Sequence, residues 1–153
     1  MAENHIRVVT LGNVDAGKST LTGTLISGKL DDGRGSARAA VTKHKHELAT
    51  GRTSTIGTHL LGLDTNAKPV TSYNGQTELI QKSDRLVTLM DLAGHEKYLK
   101  TTIAGIARGM ADYALVLVNA MKPPTHMTMH HLKLCVTMGI PAIVVMTKVS
   151  QKQ

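Results

Sequence analysis

Nine consecutive residues near the amino terminus, Gly12-Asn13-Val14-Asp15-Ala16-Gly17-Lys18-Ser19-Thr20, satisfy the pattern G-x-x-x-x-G-K-[ST]. The chemistry of that spacing is phosphate binding. Glycines let the backbone curl until successive N–H groups face phosphate oxygens, and the start of a helix adds favourable partial charge. Lys18 would bridge the β- and γ-phosphates of a nucleoside triphosphate, and the Ser19 hydroxyl would coordinate Mg²⁺. The competing reading, a glycine turn entering a helix, accounts for the glycines but not for the Lys-Ser pair. A second constellation, Asp91-Leu92-Ala93-Gly94-His95, follows an apolar run ending at Met90. Asp91 at the carboxyl end of a strand could hold the metal through water, and the Gly94 N–H could bond the γ-phosphate. D-x-x-G alone is equally compatible with an aspartate capping a helix. Downstream of a phosphate loop, the metal reading is preferred.

Elements that could position these groups follow from periodicity. A strand at 5–11 leads into the glycine loop, and a helix runs from Lys18 to about Ser27, closed by Gly28. Farther on, 85–90 reads as a strand and 96–108 as a helix with Leu99, Ile103 and Ile106 on one face. A strand at 113–118, a helix at 125–138 and a strand at 142–147 complete the alternation. The apolar runs 114–118 and 142–146 suit strands of a parallel sheet covered on both faces. Between Gly28 and Arg85 the signal is looser, with a strand around 58–63 and Asn74-Gly75 as a tight-turn candidate.

Composition sets the outer bounds. With 153 residues and 41% apolar content the chain suits one domain with its own core. No stretch approaches the roughly 20 apolar residues of a membrane span, so the expectation is a cytoplasmic protein without a membrane partner. One cysteine, Cys135, excludes an internal disulfide framework and reads as a buried thiol. The net charge of +7 is concentrated late: residues 97–153 hold seven Lys/Arg against one acid, Asp112. A polyanionic partner fits there, although the lack of Phe and Trp removes the usual base-stacking side chains. His126, His130 and His131 lack a neighbouring carboxylate or cysteine to complete a zinc site and read as polar surface. Met121, Met127, Met129, Met138 and Met146 read as gap-filling core residues. The basic stretch His44 to His46, with Lys43, Lys45 and Arg52, reads as a solvated loop that could approach phosphates or RNA when ordered.

The segments GNVDAGKST, DLAGH, HKHELATGRTSTIG and the strand-ending Thr147-Lys148 together resemble translational GTPases, most closely the elongation-factor-like GTP-binding protein 1/2 subfamily. The likeness covers nearly all of residues 5–149. It implies a phosphate-loop G domain with a mostly parallel sheet, helices on both faces and strand order 2-3-1-4-5. It further implies GTP hydrolysis to GDP with Mg²⁺, and a switch linked to the ribosome or RNA. By the same resemblance Thr55 is the switch threonine closing over Mg²⁺ and the γ-phosphate, and His95 orients the attacking water. Asp15 matches a position that can hold a monovalent cation beside the phosphates.

Two departures bear on function. Family members carry [NT]-K-x-D after the fifth strand, with the aspartate bonded to guanine, whereas this chain reads Thr147-Lys148-Val149-Ser150. Losing those charge-assisted bonds should cost about 2–4 kcal/mol. The chain also stops at Gln153, so the expectation is a G domain over 1–153 that is incomplete at its carboxyl end and open to self-association through an uncovered sheet face. The leading reading is a Mg²⁺-dependent GTPase in which Lys18, Ser19, Thr55, Asp91, Gly94 and His95 carry the phosphate chemistry. Asn13, Val14, Asp15, Ala16, Gly17, Thr20, Thr147 and Lys148 bind the nucleotide alongside them. The alternative is a phosphate-binding module without hydrolysis or guanine selectivity. An ATPase fits RTSTIG and DLAGH less well.

Overall fold

The computed structural model describes residues 4–39, 41, 56–94, 99–109 and 111–149. Strand β1 (His5–Gly12) is built from the β-branched run around Val8 and Val9 and ends at the glycine loop. Helix α1 (Lys18–Ser27) begins directly after Gly17 and closes where the Gly28 N–H bonds the Thr24 carbonyl at 2.9 Å. A single helical turn, α2 (Ser36–Ala39), follows. Then come β2 (Gly57–Leu63), α3 (Gln76–Lys82), β3 (Arg85–Asp91) and α4 (Leu99–Gly109). Strand β4 (Tyr113–Asn119), α5 (His126–Thr137) and β5 (Ala142–Thr147) complete the chain of elements. Thr125 caps α5, its hydroxyl accepting from the Thr128 N–H at 3.4 Å.

The five strands lie in the order β2-β3-β1-β4-β5, the order that the resemblance implied. β1 is parallel to β3 and β4, β4 is parallel to β5, and β2 runs antiparallel to β3. In this register Thr10 stands opposite Asp91, Gly12 opposite Leu117 and Asn119 opposite Thr147. The carboxyl ends of β1, β3, β4 and β5 therefore meet along one edge of the sheet, where ligands of open α/β sheets bind.

Each sheet face has its own core. On one, Val9, Leu11, Met90, Leu92, Ala114 and Val116 pack with Ile106 of α4 and Cys135 of α5. On the other, Val8, Leu61, Val87 and Leu89 pack with Leu25 and Ile26 of α1. Cys135 is buried, as its apolar setting suggested.

Several sequence expectations need correction. β5 is not covered on both faces: Ile143, Val144 and Met146 are each more than half exposed. Among the described strands β5 pairs only with β4, so it is an edge, and its apolar run reports strand propensity but not depth. Of the five methionines only Met127 is buried. Asn74-Gly75 leads into α3, a helix that the periodicity did not reveal. It is fixed by Glu78, which accepts from the Asn74 N–H and pairs with Lys82 at 2.6 Å. On α4 Ile106 is buried but Ile103 is largely exposed, and Thr102 takes the inner position. His131 is not surface but 1% exposed on the inner side of α5, while His126 and His130 are exposed.

Candidate nucleotide-binding site

The chain turns sharply after β1. Gly12 has φ 145°, Asp15 63° and Gly17 90°, and Asn13 closes the loop by accepting from the Ala16 N–H through its carbonyl and from the Val14 N–H through its side chain. These left-handed steps turn the loop before α1 begins at Lys18, and the first turn of any helix has N–H donors without intrahelical partners. Lys18 folds back over this loop, donating to the carbonyls of Gly12 at 3.1 Å and Asn13 at 3.0 Å. Burial pulls its pKa down to about 8, with Asp91 and Asp15 acting in the opposite direction. The lysine is thus a poorly solvated cation at the mouth of a donor-lined loop, which favours an incoming anion.

Beside it, Ser19 donates to Asp91 at 2.5 Å. Asp91 is 3% exposed, and burial raises its pKa against the opposing effects of the Ser19 hydrogen bond and the Lys18 charge. The Thr10 hydroxyl lies 3.2 Å from the other Asp91 oxygen. A hydroxyl and a carboxylate brought together in this way offer hard oxygen donors, which suit Mg²⁺. No group of three or more His, Cys, Asp or Glu that could hold a metal occurs among the described residues. This pair therefore fits an ion that keeps most of its ligands as water or phosphate.

Gly94 closes the arrangement. A Cβ placed there would stand 2.6 Å from the Gly12 carbonyl oxygen, 2.8 Å from the Asn13 carbonyl carbon and closer still to the Lys18 ammonium. Only glycine lets the segment after β3 rest on the loop. Thr102 on α4 anchors that segment by donating to the Ala93 carbonyl at 3.0 Å. On the opposite flank the Thr147 hydroxyl at the end of β5 donates to the Ala16 carbonyl at 2.7 Å and lies 3.3 Å from that of Val118. Lys148, next to it, adopts φ 55° and is exposed.

The structure thus gathers the stretch Asn13 to Thr20 with Asp91, Gly94, Thr147 and Lys148 along one edge. Thr55 and His95, expected at the reacting end, and Ser150 lie outside the described residues. Sequence reasoning missed Thr10. A polar residue inside an otherwise apolar strand, two places before the loop, is the signal that could have found it. It also missed the bond from Thr147 to the phosphate loop, for which sequence carries no sign because the partners are 131 residues apart.

Comparison with known proteins agrees with this geometry. Residues 3–152 match the Elongation factor Tu GTP binding domain. The chain is 43% identical to GTP-binding protein 1 of Xenopus laevis over 151 residues, 95% of this chain and 23% of that one. It is 42% identical to GTP-binding protein 2 of Homo sapiens over 146 residues, 94% of this chain and 24% of that one. It therefore spans about a quarter of the length of these curated relatives. Among solved structures, a bacterial selenocysteine-specific elongation factor EF-Sec superimposes with a TM-score of 0.67 at 23% identity, covering 97% of this chain and 21% of that one. Elongation factor SelB from Methanococcus maripaludis, in complex with the GTP analogue GppNHp, gives 0.61 at 22% identity, with 97% and 23% covered. These two likenesses establish the fold. With the family match running almost end to end, the chain belongs to the family of elongation factor Tu GTP-binding domains.

Proposed function

We propose that residues 1–153 form a G domain that binds Mg²⁺·GTP, hydrolyses it to GDP and acts as a switch linked to the ribosome or RNA. The observation that carries this reading is the convergence of Lys18, Ser19, Asp91 and Gly94 at the mouth of one glycine loop. Lys18 would exchange its two carbonyl partners for β- and γ-phosphate oxygens, a charge-assisted contact. Ser19 and Asp91 would hold the magnesium ion, which when bound neutralises charge developing on the phosphates. The Gly94 N–H would bond the γ-phosphate. By family resemblance Thr55 would close over the metal and His95 would orient the attacking water, which demands positioning more than basicity. Intrinsic turnover would then be slow until a partner orders the switch segments. Exposed Lys100, Lys122, Lys133 and Lys148 support a polyanionic partner. No helix of the described residues is long and apolar enough to cross a membrane, which supports a cytoplasmic setting.

A second reading has its own observation. Ser150 stands where the family pattern has an aspartate, so the phosphate grip could be retained while guanine selectivity falls. Calorimetric titration with GTP, GDP and ATP in Mg²⁺ separates the two. Guanine preference supports the GTPase, and equal weak binding supports the phosphate module. Lys18→Ala should lower affinity for every phosphate ligand at least about 10-fold. Unchanged GTP binding by that variant would remove the site assignment.

A further inference from the structure

The single turn α2 is pressed against α1 by direct backbone contact. A Cβ at Gly23 would meet the Ala37 carbonyl oxygen, stand 2.5 Å from its carbon and lie 3.3 Å from the Arg38 nitrogen. Ala37 and Val41 on either side are buried, and the Val41 N–H bonds the Arg38 carbonyl at 3.1 Å. Arg38, half-buried, is therefore held beside the second turn of a helix whose first residue is Lys18. Its positive charge reaches the Lys18 ammonium and opposes protonation there. Two cations directed at one buried loop repel each other, and an anion between them reverses the sign of that interaction.

The sheet order says which part of the anion. Thr147 and Lys148, on the base side, stand at the β5 end. Asp91 lies across β1 at the end of β3, and α1, with α2 on it, covers β1, β3 and β2. A nucleotide whose base lies near Lys148 and whose phosphates cross the loop toward Asp91 brings its outermost phosphate to the α2 side. We infer that Arg38 is a second phosphate-contacting cation, reaching the terminal phosphate of a nucleoside triphosphate from α2 while Lys18 holds it from the loop. The inference rests on the nucleotide-binding reading above and adds discrimination between triphosphate and diphosphate. A planar guanidinium is suited to grip two terminal oxygens together.

The test compares fluorescent-labelled GppNHp and GDP binding to the whole chain with Mg²⁺, in wild type, Arg38→Ala, Arg38→Lys and Lys18→Ala. Arg38→Ala should weaken GppNHp binding about 10- to 100-fold and change GDP binding less than about 3-fold, with partial recovery in Arg38→Lys. Normal GppNHp binding by Arg38→Ala, alongside loss in Lys18→Ala, overturns the role of Arg38 and leaves the site standing. Equal loss of both ligands with a lowered thermal midpoint makes Arg38 a structural residue and also overturns it. Failure of wild type to bind either ligand overturns the nucleotide reading and this inference together.

Discussion

Among the buried polar side chains of the two cores, Asp91 and His131 stand in opposite situations. Asp91 is surrounded by Thr10, Ser19 and Lys18, whose bonds and charge offset much of what burial costs its carboxylate. His131 is equally deep, and neither ring nitrogen has a hydrogen-bond partner among the described residues. Burial, with smaller effects from Lys18 and His130, moves its pKa from 6.5 down to about 4. The unfolded chain then takes up a proton between those values while the folded one does not, so stability rises with pH across pH 4 to 6.5 and is lost as pH falls through it. The full span is worth about 3 kcal/mol. Urea unfolding of His131→Leu across that range should show this component of the acid dependence gone, and an unaltered slope would mean that His131 does not titrate in this way. Gly94→Ala bears on the neighbouring contact. Its methyl cannot fit beside the Gly12 carbonyl without moving backbone, so nucleotide binding should fall at least about 10-fold with the circular-dichroism spectrum preserved.

At the scale of elements, what the sequence made legible was whatever local chemistry decides. The boundaries of α1 follow from Gly17 and Gly28, and those of β5 match the apolar run between Pro141 and Lys148. α3 was hidden because its seven residues carry only Leu79 into the core, so it has almost no periodic signature. The depth of β5 and the exposure of Met121, Met129, Met138 and Met146 were misread for a common reason. Apolar character reports what could be buried, while burial depends on which neighbour covers the strand or helix face. Of the candidate site, the loop and Asp91 were legible because both are defined by motifs at strand ends, whereas the Thr10 and Thr147 bonds arise only from sheet register. The α1–α2 contact is another feature of this kind. Gly23→Ala should push the turn off α1 and lower the unfolding free energy by about 1–3 kcal/mol, as read by chemical denaturation.

For the molecule as a whole, the uneven cover of the sheet has a consequence in solution. Ile143, Val144 and Met146 expose apolar surface along β5, and Val136 and Val149 add to the exposed apolar total. Strand edges bearing apolar groups recruit further chains. Sedimentation velocity at rising concentration should show association of the chain, reduced by Ile143→Thr combined with Val144→Lys. Concentration-independent sedimentation of the unaltered chain would exclude that route. The same strand carries the Thr147 hydroxyl, which reaches across to the Ala16 carbonyl. That bond works as a tie rod between the part of the molecule that would read the base and the part that would hold the phosphates. Removing the hydroxyl would leave both halves in place yet let them move independently, so tension applied to β5 by anything docking along its free side would no longer be transmitted to the loop.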